Sequence, residues 1–511
     1  MYFAIEDFTL DTDRRELRRG ATLLAVEPQV FDLIAFLIAN RDRVISRDEL
    51  LDAVWHGRIV SESTLATRIN AARRALGDSG EAQRLIRTIH RRGFRFVGNI
   101  VEKQAHDVDA VSAQPTVAVL PFVNMSGDAE QDYFADGLTE DIITALSRFK
   151  SFAVISRNSS FVYTGRAVEV RQVARELGVR YVLEGSVRRA GERVRITAQL
   201  IDGTSGAHLY ANRFDRDIED IFEVQDRITE SVVGVIEPQI RQAEIERSRR
   251  KRPESLDAYD LYLQALSKIY TTRPEDNSQA YAQAMHAVAL EPNYAPFLAV
   301  ASWALLARIK SGWPPLTVDD RAACLNLVSR ALAGAHGDPE VLAQCSVVLV
   351  SIGIDYDRGM RITANAVEAN PNNQMVLIWA AITKLHCGDL EESLAHSRRA
   401  ILMSPGDAVA HFPMTTIAHA HLALRNYDEA LQAAERSLAV NPNFGPTYWM
   451  LIAANAQLGQ LDEARRWLAK FQVLSPGVTI ARILRGQPDK FPDRMAPILE
   501  GLRLAGLEGG S

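Results

Sequence analysis

Residues 61–97 read SESTLATRINAARRALGDSGEAQRLIRTIHRRGFRFV, and this stretch decides the fold of the first hundred residues. An amphipathic helix is followed by a short polar turn and then by a hairpin rich in arginine. The stretch holds eight arginines and three acidic residues, in a chain whose formal net charge is −6. Local positive charge on an acidic protein indicates a polyanion contact confined to one place, and DNA is the simplest candidate.

The first half of the stretch has the periodicity of a helix with two different faces. At 100° per residue, one stripe is apolar and should face a core, namely Leu65, Ile69, Ala72 and Leu76. The opposite stripe is short and mostly polar, namely Ser63, Thr64, Thr67, Asn70, Ala71 and Arg74. A major groove accepts a helix, and Arg or Asn can make bidentate contacts with base edges there. Arg68 and Arg73 lie on the flanks, where phosphates would run; the alternative for the whole face is ordinary solvation.

The second half predicts a β-hairpin, with strands over residues 85–89 and 94–97 around the tip His90-Arg91-Arg92-Gly93. Gly93 is free to take a positive φ at this turn. Arg91, Arg92 and Arg95 would project toward a phosphate backbone, or toward a minor groove, which attracts arginine when it is narrow. The hairpin therefore favours the DNA-binding interpretation of the helix over simple solvation.

The residues before this stretch complete a small domain. Residues 2–10 alternate like a strand, Pro28 opens an apolar helix, and a capping box at residues 46–49 precedes another helix. On these motifs, residues 1–100 resemble the OmpR/PhoB-type winged helix. The resemblance rests on Pro28, Phe31, Leu33, Ser46, Arg47, Leu50, Leu51 and Trp55, and in the wing on Thr88, Gly93, Phe94 and Phe96. It implies an N-terminal antiparallel sheet, three helices and a C-terminal hairpin wing.

The resemblance also implies roles for particular residues. Residues 63–74 would form the recognition helix, and Thr88 with residues 91–95 would form the wing. The loop at residues 56–60 lies where relatives contact RNA polymerase. Binding in this family implies double-stranded promoter DNA, direct repeats and cooperative dimer formation, so a homo-oligomer is expected. Many relatives carry an N-terminal receiver domain; the winged helix begins at Met1 here, so no receiver is expected.

A polar linker at residues 101–114 leads to a predicted mixed α/β domain at residues 115–247. Short apolar runs alternate with helical patterns, and Gly178, Gly191 and Gly203 fall at element ends. The segments from Val117 to Leu146 and from Tyr181 to Ile201 resemble the TolB-N/FlgO-like domain. Six acidic residues between Asp128 and Asp141 leave a hard-cation site as an alternative, although acids at a helix start are favoured by the helix dipole alone.

The last half of the chain, residues 255–500, is repetitive. Prolines recur at positions 292, 339, 371, 405, 442 and 476, and a period near 34 residues is typical of tetratricopeptide repeats. Such repeats stack into a solenoid whose concave groove takes a peptide or a protein partner. The large side chains here are interpreted as core rather than as a ligand site, namely Trp303, Trp379, Met414 and Trp449. The basic run at residues 247–252 suits a helix C-terminus, with auxiliary phosphate contact as the alternative.

Composition and missing motifs narrow the classes of function. The chain has 511 residues, which predicts about three domains, and its composition is that of a soluble protein. The three cysteines are far apart and suit buried positions in a reduced compartment. Neither a membrane span nor a signal peptide is predicted, so a cytoplasmic protein is expected. The order of the domains resembles a CadC/HilA-like architecture without a membrane span. No phosphate-binding loop or catalytic elbow occurs, so we expect no enzyme activity, cofactor or metal.

The sequence therefore predicts a multidomain α/β plus all-α protein: a winged helix-turn-helix, a mixed α/β sheet domain and a C-terminal tetratricopeptide solenoid. The predicted function is a sequence-specific, DNA-binding transcriptional regulator whose repeats sense a signal or bind a partner. The alternative is a repeat-mediated adaptor with weak DNA binding. Related middle and C-terminal regions also occur fused to nucleotide cyclases, so a protein labelled as adenylate cyclase-like, but without the catalytic domain, belongs to the same alternative.

Overall fold

The computed structural model describes the chain in segments, namely residues 2–5, 8–12, 16–19, 22–24, 26–55, 62–90, 92–98, 101–103, 114–126, 131–166, 168–191, 193–217, 221–252, 255–404 and 406–510. These segments form two compact units, Met1–Ala113 and Gln114–Ser511. None of the helices in the described part of the chain combines the length and the apolar run that a membrane span needs.

The first unit contains an antiparallel sheet, three helices and a separate hairpin. The sheet has the order β4-β3-β2-β1-β7, with strands β1 (Tyr2–Ile5), β2 (Phe8–Asp11), β3 (Glu16–Arg19), β4 (Thr22–Leu24) and β7 (Val101–Lys103). The helices are α1 (Pro28–Ala39), α2 (Arg47–Trp55) and α3 (Glu62–Ala75). The hairpin pairs β5 (Ile86–Ile89) with β6 (Gly93–Phe96).

Two predictions made from the sequence of this unit can be compared with the structure. The capping box before α2 is confirmed, because the Ser46 N–H donates to Glu49 Oε2 at 2.8 Å and the Glu49 N–H donates to Ser46 Oγ at 3.2 Å. The boundary predicted at residue 100 differs from the observed one, because β7 pairs with β1 and takes residues 101–103 from the predicted linker into the sheet. Pairing satisfies backbone groups that a free linker would leave to water.

The second unit begins with a mixed sheet. Its order is β10-β8-β11-β12-β13, with a short β9 beside β11. The strands are β8 (Thr116–Val119), β9 (Val123–Asn124), β10 (Ala153–Val154), β11 (Tyr181–Ala190), β12 (Arg193–Asp202) and β13 (His208–Asp217). The helices are α4 (Asp132–Leu146), α5 (Arg157–Phe161), α6 (Val170–Leu177) and α7 (Ile221–Arg250). Gly178 ends α6 in the left-handed conformation, with φ of 64°, as its position after the last apolar residue predicts.

The rest of the second unit is helical, and consecutive helices pack against each other in pairs. The pairs are α8 (Ala258–Ile269) with α9 (Pro274–Leu290), α10 (Ala295–Ser311) with α11 (Asp320–Gly334), α12 (Pro339–Ser351) with α13 (Tyr356–Ala369), α14 (Gln374–His386) with α15 (Leu390–Met403), α16 (His411–Ala423) with α17 (Tyr427–Val440), and α18 (Gly445–Gln457) with α19 (Leu461–Leu474). Helix α20 (Ile480–Arg485), a short 3₁₀ turn and α21 (Ala496–Leu504) follow.

Four of the recurring prolines lie where these pairs begin or are linked, and Pro405 lies outside the described residues. Pro292, Pro371 and Pro442 lie in links between one pair and the next, and Pro339 opens α12. Cys324 and Cys345 are fully buried, and the large side chains predicted to be core are at most 9% exposed, namely Trp303, Trp379, Met414 and Trp449. Helix α7 packs on the sheet and also contacts α8 and α15, so the sheet and the helical pairs share one unit.

Candidate nucleic-acid interface

Helix α3 presents the two faces that its sequence predicts. The apolar stripe is at most 3% exposed and belongs to the core of the first unit, namely Leu65, Ile69, Ala72 and Leu76. On the opposite stripe, Thr67, Asn70 and Arg74 are exposed and Thr64 is half-buried. Ala71 differs from the prediction, because it is half-buried and packs against the core. The exposed face offers a hydroxyl, an amide and a guanidinium, which are groups that bond with base edges.

Arg73 corrects the prediction of a phosphate contact. Its side chain is only 5% exposed, and its Nε and Nη2 donate to the Ile86 carbonyl at 3.0 and 2.9 Å. Nη2 also donates to Thr88 Oγ1 at 2.9 Å, and Nη1 donates to Asn70 Oδ1 at 3.4 Å. Burial lowers the pKa of Arg73, and the nearby Asp78 carboxylate partly opposes that shift. Arg73 therefore fixes the hairpin to α3 instead of facing outward.

Asp78 is a positioning residue that the sequence analysis missed. Its carboxylate is 7% exposed and accepts four backbone N–H bonds, from Ser79, Arg84, Leu85 and Ile86, at 2.8 to 3.1 Å. Burial alone would raise the pKa of Asp78, but the four donors outweigh it and the pKa is lowered. The carboxylate thus ties the end of α3 to the start of β5. Its position after Gly77 just past the helix was the available signal, since Asp bonds readily to backbone N–H groups in turns.

Two of the predicted arginines have partners within the first unit. Arg68 forms an ion pair with Glu27, the residue before α1, and keeps 26% of its side chain exposed. Arg95 is exposed, and its Nε donates to the Arg41 carbonyl at 3.1 Å. An exposed ion pair contributes little to folding stability, so a phosphate could compete with Glu27 for Arg68 at small cost.

The hairpin separates a buried face from a charged face. Ile86 lies opposite Phe96, and both are buried. One residue along, Arg87 lies directly opposite Arg95, and both are exposed. Like charges in directly opposed positions destabilise a hairpin unless an anion lies between or above them. This pair is therefore a feature that folding alone does not explain.

A packing requirement, and not direct contact with DNA, explains why position 93 is a glycine. Its φ is 135°, and it is buried where Phe94 forms a bridge with Ile45. A Cβ at this position would lie 1.9 Å from the Ile45 carbonyl oxygen. No side chain fits there, so the glycine allows the wing to dock on the segment before α2.

Five exposed arginines form what we call the arginine surface, namely Arg74, Arg84, Arg87, Arg92 and Arg95. Within the described side chains of residues 62–98, Glu81 is the exposed acidic residue, since Asp78 is buried. The side chain of Ser63, the whole of Arg91 and the predicted polymerase loop at residues 56–60 lie outside the described residues.

Some members of the acidic and basic runs of the second unit make local contacts, while Asp128 and Glu130 lie outside the described residues. Asp132 accepts a hydrogen bond from Asn124 at 2.7 Å, and Glu140 lies 3.3 Å from Arg157. Among the described side chains, no group of three His, Cys, Asp or Glu could hold a metal ion. In the basic run, Arg249 pairs with Glu246 at 2.7 Å and Lys251 pairs with Asp260 at 2.5 Å. These contacts suit a helix end and favour the structural interpretation of that run.

Two family models match the chain. Residues 21–96 match the model described as transcriptional regulatory protein, C terminal, and residues 112–231 match that of the HilA/YgeH-like transcriptional regulator, second domain. The chain thus carries an OmpR/PhoB-type domain followed by a HilA-like second domain.

Curated relatives match this chain over different lengths. The chain is 44% identical over 228 residues to a Rhizobium meliloti (strain 1021) protein that bears the provisional name adenylate cyclase 3, which covers 45% of this chain and 39% of that protein. It is 22% identical over 443 residues to the transcriptional regulator HilA of Salmonella typhi, covering 85% of this chain and 75% of HilA. It is 28% identical over 110 residues to the transcriptional activator CadC of Escherichia coli (strain K12), covering 21% and 22%.

Proposed function

We propose that this chain is a DNA-binding transcription regulator that reads a specific promoter sequence through the first unit. The observation that carries the proposal is the arginine surface, above all Arg87 directly opposite Arg95 on the exposed face of the hairpin. A double-stranded DNA backbone supplies the negative charge that this pair lacks. The similarity to HilA and CadC supports the same function.

The proposed docking follows from the exposed groups. Thr67, Asn70 and Arg74 on α3 enter the major groove, where Asn can bond adenine and Arg can bond guanine through two hydrogen bonds each. Arg87, Arg92 and Arg95 on the hairpin face the adjacent phosphates or minor groove. Arg73 and Asp78 hold the helix and the hairpin in a fixed relation, so both can contact one duplex.

In this proposal, the second unit senses the signal or binds the partner that controls the regulator. The 34-residue spacing and the helical pairs support a tetratricopeptide solenoid over residues 255–500, behind a TolB-N/FlgO-like sheet domain over residues 115–247. Such a scaffold binds a peptide or protein partner or sets the oligomeric state, and two copies would occupy direct repeats. The regulator role includes no catalysis, because the matched family models describe transcriptional regulators.

Replacing Arg74 by alanine should relax the base preference at one position of the DNA site. A bidentate contact of arginine with guanine accounts for about 1–3 kcal/mol of discrimination, so affinity for the preferred site should fall by roughly one to two orders of magnitude. Titration of labelled duplexes that differ at single positions measures this. Arg436→Ala, at an exposed position on α17, is the control and should bind as wild type does. Unchanged base preference in Arg74→Ala would remove α3 from the groove.

Replacing Arg87 and Arg95 by glutamine should change the salt dependence of DNA binding. Each lost phosphate contact should lower the slope of log K against log salt by about one, so the double variant should lose about two. Fluorescence anisotropy at roughly 50 to 200 mM salt measures this slope, because DNA affinity depends steeply on salt in that range. The hairpin itself should not lose stability, because a repulsive pair is removed. A slope equal to that of wild type would contradict the wing assignment.

The decisive experiment is to recover genomic fragments with purified full-length protein in excess competitor DNA and to sequence them. A recurring motif, above all a direct repeat, is the expected result. Enrichment that disappears in Arg74→Ala would assign the motif to α3. No enrichment, with Arg74→Ala equal to wild type, would favour an adaptor that acts through its helical pairs.

A further inference from the structure

The helical part of the second unit contains a partly open cavity of about 180 Å³. Its wall is mostly apolar and is contributed mainly by α8, α9, α10, α14, α16, α18, α19 and α20. Six aromatic rings belong to it, namely Trp303, Trp313, Phe412, Phe444, Trp449 and Phe471. A concave, mainly apolar cavity with a few polar groups is the usual form of a small-molecule site.

The charged residues of this wall are all basic. Lys310, Arg273 and Arg482 are the charged residues of the wall, His386 and His419 are polar residues beside them, and no Asp or Glu is among the described lining residues. The whole chain has 64 acidic and 58 basic residues, so a wall of one sign does not follow from composition. Cations gathered around an apolar space repel each other, and an anion in that space relieves the repulsion.

The basic groups lie close to one another. Lys310 Nζ is 3.2 Å from His386 Nε2, and behind the wall Arg494 Nη1 is 3.4 Å from His419 Nε2. Burial, together with the smaller effect of the Arg494 charge, lowers the pKa of Lys310 to about 7. Burial and the neighbouring cations likewise hold the pKa of His386 well below its usual range.

Two buried ring nitrogens of residues on the wall have no hydrogen-bond partner among the described residues. His386 is 3% exposed, and its Nδ1 makes no hydrogen bond there. Trp449 is 6% exposed, and its indole N–H makes none either. A buried polar group without a partner is costly, so such groups mark places where a bound molecule completes the hydrogen bonding.

We propose that this cavity binds a small organic carboxylate. The carboxylate lies at Lys310 and His386, and its apolar body contacts the aromatic rings of the wall. One ammonium beside one imidazole matches the single charge of a carboxylate better than the double charge of a phosphate. The proposal concerns the helical pairs alone, so it holds or fails independently of DNA binding by the first unit.

The test uses acids and their uncharged amides on the full-length protein. Phenylacetate and octanoate are titrated by calorimetry beside phenylacetamide and octanamide, which have the same bodies without the charge. We expect at least one acid to bind, with its amide at least about tenfold weaker, because the amide lacks the charge-assisted contact. Failure of both acids to bind, or equal binding of an acid and its amide, would overturn the proposal.

Variants then locate the contact. Lys310→Gln should weaken binding of the acid by about tenfold or more and leave binding of the amide unchanged. Lys268→Gln is the matched control, since Lys268 is also half-buried and hydrogen-bonded but does not line the cavity. His386→Gln is the second variant, and thermal unfolding shows that each variant is folded. Equal affinity for the acid in wild type and in both folded wall variants would refute the site.

Discussion

Replacing Arg241 by methionine is expected to destabilise the second unit by about 3–5 kcal/mol, because the loss of the buried cation leaves its carboxylate partners unpaired. Only 10% of the Arg241 side chain is exposed. Its guanidinium lies 3.4 Å from Glu237 on the same helix, 3.9 Å from Glu340 on α12 and 3.6 Å from Asp407 before α16. One cation thus joins the helix that covers the sheet to two places in the helical pairs.

The pKa of Glu237 shows how this carboxylate depends on Arg241. It is raised to about 7, because burial and the charges of Glu340 and Asp407 raise it while Arg241 lowers it. Without the guanidinium, Glu237 takes up a proton more readily, because the cause that lowers its pKa is removed. A protonated Glu237 no longer repels the neighbouring carboxylates, so the destabilisation of Arg241→Met should be smaller at about pH 5 than at about pH 8.

Urea unfolding followed by circular dichroism measures this loss, since the second unit is largely helical. Arg249→Met is the matched control, because Arg249 is half exposed and pairs with Glu246 at the surface. Its loss should stay below about 1 kcal/mol. Asp407→Asn added to Arg241→Met should restore part of the stability by removing one unpaired charge. Equal stability of Arg241→Met and Arg249→Met would show that the cluster does not hold the unit together.

The interface illustrates what the sequence reveals about a site and what it does not. Helical periodicity correctly separates the buried Leu65 stripe from the exposed Asn70 and Arg74, because side-chain direction repeats with the helix. It places Arg73 on a flank but cannot show that the Ile86 carbonyl lies within reach of it. That partner comes from a different element, and its position depends on the path of the intervening turn.

The second unit shows the same division between local and tertiary information. Repeat spacing and Pro339 predict where helices begin, because these signals act within a few residues. The Arg241 cluster and the cavity both join residues far apart in sequence. Lys310 and His386 are 76 positions apart, and neither lies in a motif that predicts contact. Trp303 and Trp449 are buried as predicted, yet they also line the cavity.

Replacing Asp78 by alanine is expected to loosen the connection between α3 and the hairpin of β5 and β6 and, under the proposed function, to weaken DNA binding. The four backbone N–H groups lose their shared acceptor. The buried Arg73 loses its nearby counter-charge. Each buried donor left without a partner costs about 1–3 kcal/mol, and water can reach the more exposed ones, so a total of about 3 kcal/mol is expected. Asp78→Asn should lose less, because its amide oxygen still accepts.

Hydrogen exchange of the full-length protein, resolved by peptide, measures this locally. The amides of Arg84, Leu85 and Ile86 should exchange roughly 100-fold faster in Asp78→Ala, which corresponds to about 3 kcal/mol of opening free energy. Asp42→Ala, an exposed aspartate between α1 and α2, is the control and should leave these amides unchanged. Unchanged protection in Asp78→Ala would mean that α3 and the wing are held by Arg73 and the core alone.

The pH dependence gives an independent check with a definite sign. The pKa of Asp78 is lowered in the folded protein, so the folded state favours the charged carboxylate. Its contribution is therefore complete above the unfolded pKa of about 4 and is lost as the pH falls through the lowered folded value. Protection of residues 84–86 in wild type should thus decline below about pH 4, and Asp78→Asn should lack that decline because its amide does not titrate. The same decline in Asp78→Asn would assign the titration to another group.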